Sequence, residues 1–363
     1  MRAALRMSCC RWYVSAPVTE ERRKPRRLLI LGGTTFLGIH MVELALQRGH
    51  TVTLFNRGRT RSNLFPAVER LEGDRDGGLD ALKGRAWDAV IDNCGYVPRH
   101  VRLSASLLAP NVGHYLFVST ISVYADLARM NDESSPLATL RDETCEDPKQ
   151  EYGALKALCE SAADAALPGR TTIVRPGLIV GPEDPTDRFT YWPARAARGG
   201  EMLAPSDPQA SFQLIDARDL ARFCLDAIEK RLFGAYNATS PPGLFTMGDI
   251  VRESVAAASA LAHPNPPAEP IWASAGFLTE QGVRPFTDFP GWVAGDCELA
   301  KIHHARVDKA LRAGLHISPL SETTRDTLEW HLGRSRGHAT VLRAGITPER
   351  ERELLALWRS KVG

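Results

Sequence analysis

The sequence has no apolar run near the ~18 residues that a membrane-spanning helix needs, so no span is expected. It has no CxxC pair and no Cys/His grouping at zinc spacing. Its seven cysteines, at positions 9, 10, 94, 145, 159, 224 and 297, are scattered and odd in number. They read as reduced thiols of a cytosolic protein, and no metal site is expected. The adjacent pair His303-His304 has no further ligand close in sequence and reads as a surface or helix position. Internal repeats and low-complexity tracts are absent. So is a positively charged body: residues 1–27 carry eight Arg/Lys and two acids, a balance of +6, and the total of +2 therefore leaves the rest at −4. A mildly acidic body does not suggest a nucleic-acid binder, which needs clustered phosphate-neutralising charge.

What is present is the composition of a soluble globular protein, 44% hydrophobic and 24% charged. At ~100–200 residues per domain, 363 residues allow two or three domains, or one large one with an appendage. Residues 1–27 read as a disordered leader. Its acid-free first nineteen residues, with Arg2, Arg6 and Arg11, also fit an organellar transit peptide, so import stays open beside the expected cytoplasmic location.

From residue 28 short apolar runs alternate with helical spacing. Strands are expected at 28–31, 51–55, 87–92, 115–119 and 171–175, and helices at 39–48, 151–167, 219–231, 321–332 and 348–361. This alternation predicts an α/β fold, a doubly wound parallel sheet with helices on both faces. The expected division is a dinucleotide-binding core at 28–176 completed by 211–240, a smaller loop-rich substrate-binding region at 177–210 and 241–332, and a helical tail at 333–363. The tail's Leu354, Leu355 and Trp358 share one side, as in a docking helix.

The chemistry starts at Gly32-Gly33-Thr34-Thr35-Phe36-Leu37-Gly38, directly after the first strand. Glycine there permits a tight turn and close backbone approach to a pyrophosphate, and Gly38 permits close helix–strand packing. The phosphates then meet the free N–H groups of a helix N-terminus. Downstream, Tyr152 and Lys156 are four apart on one helix face. A phenol of pKa ~10 is a poor base at neutral pH, and a neighbouring ammonium lowers it. Tyr152 is therefore the expected acid/base for an alcohol/ketone pair, with Thr120 holding the substrate oxygen.

These motifs, together with Val118–Tyr124 (VSTISVY), Val174–Pro182 (VRPGLIVGP) and Ile215–Asp219 (IDARD), resemble an extended short-chain dehydrogenase/reductase of the NAD-dependent epimerase/dehydratase group. The resemblance runs from about residue 27 to 332, implies a Rossmann fold, and places the catalytic Ser/Thr at Thr120. It approaches a branch that includes isoflavone-reductase-like proteins and plant chloroplast stem-loop-binding proteins. It implies cofactor contacts at Gly32, Gly33, Thr34, Thr35, Phe36, Leu37, Gly38, Asn56, Arg57, Arg59, Asp74, Cys94, Gly95, Ser119, Tyr152, Lys156 and Pro176. Analogy also implies a homodimer.

Three departures from the family pattern refine the reading. Thr35 stands where the middle glycine is usual. Asn56 replaces the acid that NAD-specific members use on the ribose, while Arg57 and Arg59 are able to pair with a 2′-phosphate, so NADP(H) is favoured over NAD(H). Phe212 stands where sugar-nucleotide enzymes place a diphosphate-gripping arginine, with Arg195 or Arg198 as the substitutes available. The aromatics Tyr191, Trp192, Trp272, Phe277, Phe286 and Trp292 either build a small core or wall a flat substrate. Ile121 and Ser122 follow Thr120, so the acidic pair of sugar dehydratases is missing. The expected function is NAD(P)-dependent hydride transfer at a carbonyl/alcohol carbon of a small molecule that is not a sugar nucleotide. The alternatives are an NAD-dependent sugar-nucleotide epimerase and, in another class, an RNA-binding or cofactor-sensing protein on the same fold.

Overall fold

The computed structural model describes residues 24–295, 297–334 and 341–362; most of the leader, and residues 335–340 of the tail, lie outside the described residues. Strand β1 (Arg27–Leu31) feeds helix α1 (Leu37–Gln47), and β2 (Thr51–Asn56), β3 (Glu69–Glu72) and β4 (Ala89–Asp92) follow. Next come α2 (Pro98–Leu108), β5 (Tyr115–Val118), α3 (Tyr152–Ala166) and β6 (Thr171–Pro176). The chain then leaves the sheet through β7 (Leu178–Val180), α4 (Tyr191–Ala196), β8 (Gly200–Pro205) and β9 (Leu214–Asp216). It returns through α5 (Ala217–Lys230) to β10 (Gly234–Ala238).

The central sheet has the order β10-β6-β5-β4-β1-β2-β3, and every pairing in it is parallel. Its middle strands are continuous apolar runs because both faces are covered: Leu28, Leu29, Ile30 and Leu31 are all fully buried. On one face α1 packs on α5, and on the other α2 packs on α3. The chain winds outward from β1 through β2 to β3, then crosses back to β4 on the other side of β1. That reversal opens a crevice at the carboxyl ends of β1 and β4, where ligands bind in open α/β sheets.

The remaining elements are α6 (Met247–Leu261), β11 (Ala268–Ala273), α7 (Ala275–Glu280), α8 (Asp308–Arg312), α9 (Leu320–Arg334) and α10 (Pro348–Val362). Helix α8 packs on β10, whereas the others share a separate apolar core with α4, β7, β8 and β9, built around Phe189, Tyr191, Trp192, Phe212, Phe289 and Trp292. Helix α6 departs from the loop-rich expectation for 241–332. Its start is fixed by a capping box, in which the Thr246 hydroxyl accepts from the Asp249 N–H and the Asp249 carboxylate accepts from the Thr246 N–H. Helix α10 docks through buried Leu354 and Leu355, and the Trp358 ring lies 4.9 Å from that of Phe277. Its Glu351 takes both oxygens to the Arg195 Nε at 2.6 Å and joins α10 to α4.

Candidate active site

The turn between β1 and α1 is built by backbone shape. Gly32 and Gly33 have φ of 106° and 92°, in the region that favours glycine. A Cβ on Gly38 would lie 2.7 Å from the Gly33 Cα, so the start of α1 rests directly on the turn. Helix α1 has no side-chain cap and no acid in its first turn, which leaves its positive end unopposed. Thr35 is exposed above the turn, whereas Thr34 and Leu37 are buried beneath it. These features fit a pyrophosphate.

At the end of β2, the Asn56 amide donates to the Gly32 carbonyl at 3.3 Å and its oxygen accepts from the Gly58 N–H at 2.9 Å. Asn56 therefore ties the glycine turn to the next loop and adds no charge. Arg57 and Arg59 are exposed, and neither forms a hydrogen bond or ion pair among the described residues. Asp74 is exposed and caps its own loop by accepting from the Asp76 N–H.

Thr120 follows the end of β5, and its hydroxyl accepts from the Ser122 N–H at 3.1 Å, fixing a short 3₁₀ turn. Tyr152 opens α3 and faces Thr120. Burial raises the Tyr152 phenol above its ordinary pKa, while the Thr120 hydroxyl and the Arg188 guanidinium pull it down. Both residues line a cavity of about 150 Å³, together with Ser119, Pro176, Ile179, Arg188, Phe286 and His303. The Ser119 hydroxyl is buried and has no partner among the described residues. A larger depression of about 480 Å³, lined by Gln209, Arg252 and Trp272, holds none of the residues expected to act.

Lys156 is buried one turn behind Tyr152. Its ammonium donates to the carbonyls of Gly95 (2.7 Å) and Val118 (2.6 Å) and lies 4.1 Å from the Phe117 ring centre. Burial lowers its pKa to about 8, against the pull of Cys159, Asp92 and Glu160. The cation that draws Tyr152 down in this structure is Arg188 rather than Lys156. Cys94 packs beside the turn, with its Sγ 3.7 Å from the position a Gly32 Cβ would take, and burial raises its pKa, as suits packing.

Three residues near the site carried no signal in the sequence. Arg75 sits between two acids and looks like a surface charge. Instead it makes a bidentate pair with the fully buried Asp92 at 2.6 and 2.7 Å. Burial opposes the Asp92 charge, but Arg75 and the Tyr115 hydroxyl outweigh it and hold that carboxyl below its usual range. Tyr96 lies beside Lys156, and burial followed by the Tyr152 phenol pushes its pKa up to about 12. Arg188 comes from the loop after β7.

Other expectations are redistributed. Arg195 and Arg198 do not reach the cavity, because both bind Glu351. Phe212 is buried and stacks on His303, with ring centres 4.9 Å apart, and Phe286 stacks on the same imidazole at 6.0 Å. His303 is thus a buried wall residue, not a surface position, and among the described residues no His/Cys/Asp/Glu group is arranged to hold a metal. Of the six aromatics considered, Phe286 reaches the cavity; Tyr191, Trp192, Phe277 and Trp292 build the second core, and Trp272 lines the other depression. Among the described residues no helix is long and apolar enough to cross a membrane.

A doubly wound parallel sheet with a glycine turn at its switch point and a Thr–Tyr–Lys set beside it is a Rossmann-like α/β arrangement. The chain belongs to the NAD dependent epimerase/dehydratase family, whose model matches residues 28–238. It is 26% identical over 235 residues to the chloroplast stem-loop binding protein of 41 kDa b from Arabidopsis thaliana, covering 60% of this chain and 57% of that protein. The chain spans about half the length of the curated relatives it matches over the most residues. The fold is that of the human epimerase family protein SDR39U1 with NADPH (TM-score 0.56, 21% identity, 84% of this chain and 99% of that one). It is also that of the Thermus thermophilus UDP-glucose 4-epimerase with NAD (TM-score 0.57, 19% identity, 85% and 99%).

Proposed function

We propose that this chain is an NAD(P)-dependent oxidoreductase acting at a carbonyl or alcohol carbon of a small molecule, with NADP(H) preferred. One observation carries the reading: Thr120 and Tyr152 meet at a single cavity, with the Lys156 ammonium one helical turn behind. Bound there, a nicotinamide dinucleotide would supply or accept the hydride. The turn from Gly32 to Gly38 holds its pyrophosphate through backbone N–H groups. The unpartnered Ser119 hydroxyl and the remaining donor of Lys156 are available to its nicotinamide half. Asn56 offers no repulsion to a 2′-phosphate, and the unpaired Arg57 and Arg59 supply charge for it.

Tyr152 gives its proton to the substrate oxygen in reduction and takes it back in oxidation, while Thr120 orients that oxygen. The raised pKa of Tyr152 keeps the phenol protonated at neutral pH, the form that reduction requires. Sugar-nucleotide chemistry has less support, since Phe212 is a buried core residue stacked on His303 and Arg195 and Arg198 are spent on Glu351. The acidic body gives no support to binding RNA, which the chloroplast relative's name suggests.

The test is titration of the purified chain with NADPH and NADH, followed by nicotinamide fluorescence, and then a carbonyl screen with the tighter cofactor. The expected result is tighter NADPH binding, with turnover that Tyr152→Phe lowers by about 10³-fold or more and NADPH affinity kept within a few-fold. Failure to bind either cofactor, or full turnover by the Tyr152→Phe variant, overturns the reading.

A further inference from the structure

The wall of the cavity beside Tyr152 is chemically lopsided. Ile179, Phe286 and Ile302 give it an apolar side, and Thr120, Ser122 and Tyr152 give it hydroxyls. Among the described residues, Arg188 is the one permanently charged residue lining it, and no carboxylate lines it. His303 is neutral there. Its Nδ1 accepts from the Gln213 N–H at 3.1 Å, its Nε2 donates to the Gly291 carbonyl at 2.7 Å, and burial lowers its pKa to about 4.

Arg188 is half-buried, and its Nε donates to the Thr186 hydroxyl at 3.1 Å. Its two terminal amino groups have no hydrogen-bond or ion-pair partner among the described residues. The acid in the same loop, Asp184, feels the Arg188 charge but forms no ion pair with it: its Oδ1 accepts from the Thr186 N–H at 2.8 Å and the Thr186 hydroxyl at 2.7 Å. Neighbouring arginines are committed, Arg195 and Arg198 to Glu351 and Arg334 to Asp187. A guanidinium edge facing a partly apolar cavity with no direct ion pair is poised for a ligand that brings an anion.

We propose that Arg188 is the specificity-determining residue of this site and binds the carboxylate of a small keto or hydroxy acid, whose apolar part lies against Phe286 and Ile302. This rests on the proposed function, and it names the substrate class. One free guanidinium edge matches one planar carboxylate through two parallel N–H···O bonds, whereas a diphosphate calls for further cations. Size agrees: a cavity of about 150 Å³ suits a small molecule, below the ~300–1,000 Å³ typical of sites for larger ligands.

The experiment is isothermal titration of the full chain, saturated with NADP⁺, with pyruvate, 2-ketobutyrate and phenylpyruvate and with the matching uncharged amides. At least one acid is expected to bind about tenfold or more tightly than its amide. Arg188→Met should abolish that preference and Arg188→Lys restore part of it, while thermal stability is not lowered and NADPH affinity stays unchanged. If no acid is bound better than its amide, or if the preference survives in Arg188→Met, the assignment is overturned. Because the readout is binding, a failed Tyr152→Phe test with an intact acid preference would fall on the proposed mechanism alone. A normal Tyr152→Phe result with no acid preference would fall on Arg188 alone.

Discussion

The Lys156 ammonium donates to the Gly95 carbonyl at 2.7 Å and so ties helix α3 to the loop after β4. That contact depends on Gly95 lacking a side chain, because a Cβ there would lie 2.6 Å from the Phe117 ring and 2.7 Å from Val101. The site is therefore braced from below by a charged group that the fold has removed from water.

The pH dependence of stability follows from that burial. Lys156 falls from a pKa of 10.5 to about 8 in the folded chain, so between these values the unfolded state holds more protons. This group's contribution to stability accordingly rises with pH across the window, and its cost is full below pH 8. Denaturant unfolding of wild type and Lys156→Met should show wild type gaining about 2–3 kcal/mol relative to the variant from pH 8 to 10.5. A flat difference would contradict the burial of the charge.

Cofactor choice is expected to rest on two exposed arginines. Replacing Arg57 and Arg59 together by alanine should raise the Kd for NADPH about tenfold and leave that for NADH within twofold, since only the former carries the 2′-phosphate. Both side chains are exposed, so the variant is expected to fold normally, which circular dichroism checks. Parallel losses for both cofactors would show that the arginines do not select.

The buried pair between Arg195 and Glu351 holds the last helix in place. Glu351 also accepts from Arg198 and from the Leu203 N–H, both at 3.1 Å. Glu351→Ala leaves Arg195 charged and uncompensated in the second core, and should cost about 3–5 kcal/mol in denaturant unfolding. NADPH affinity of the folded variant should be unchanged, because neither residue lines the active-site cavity.

Much of the sheet was legible in the chain because its signals are local. The run at 28–31 is buried on both faces and therefore continuously apolar, the run at 51–55 is rich in β-branched and apolar residues, and both fall on strands. Other elements escaped for physical reasons. Strand β3 (Glu69–Glu72) is a polar sheet edge with no alternation to read. Helix α2 opens with a proline at its first position, which resembles a loop signal although it suits a helix start. Helix α6 follows a Pro- and Gly-rich stretch that masks its capping box.

By itself the sequence determined the glycine turn, the four-residue spacing of Tyr152 and Lys156, and the parallel α/β plan, because each depends on neighbours in the chain. The tertiary structure decided where charge goes. Arg75 and Asp92 are 17 residues apart, and Arg195 and Glu351 are 156 apart; both pairs are buried, so nothing in spacing announces them. The same long-range packing turned Arg195 and Arg198 away from the cavity and left Arg188 facing it. A cation's role depends on which carboxylates the fold brings within reach, and that is a property of three-dimensional packing.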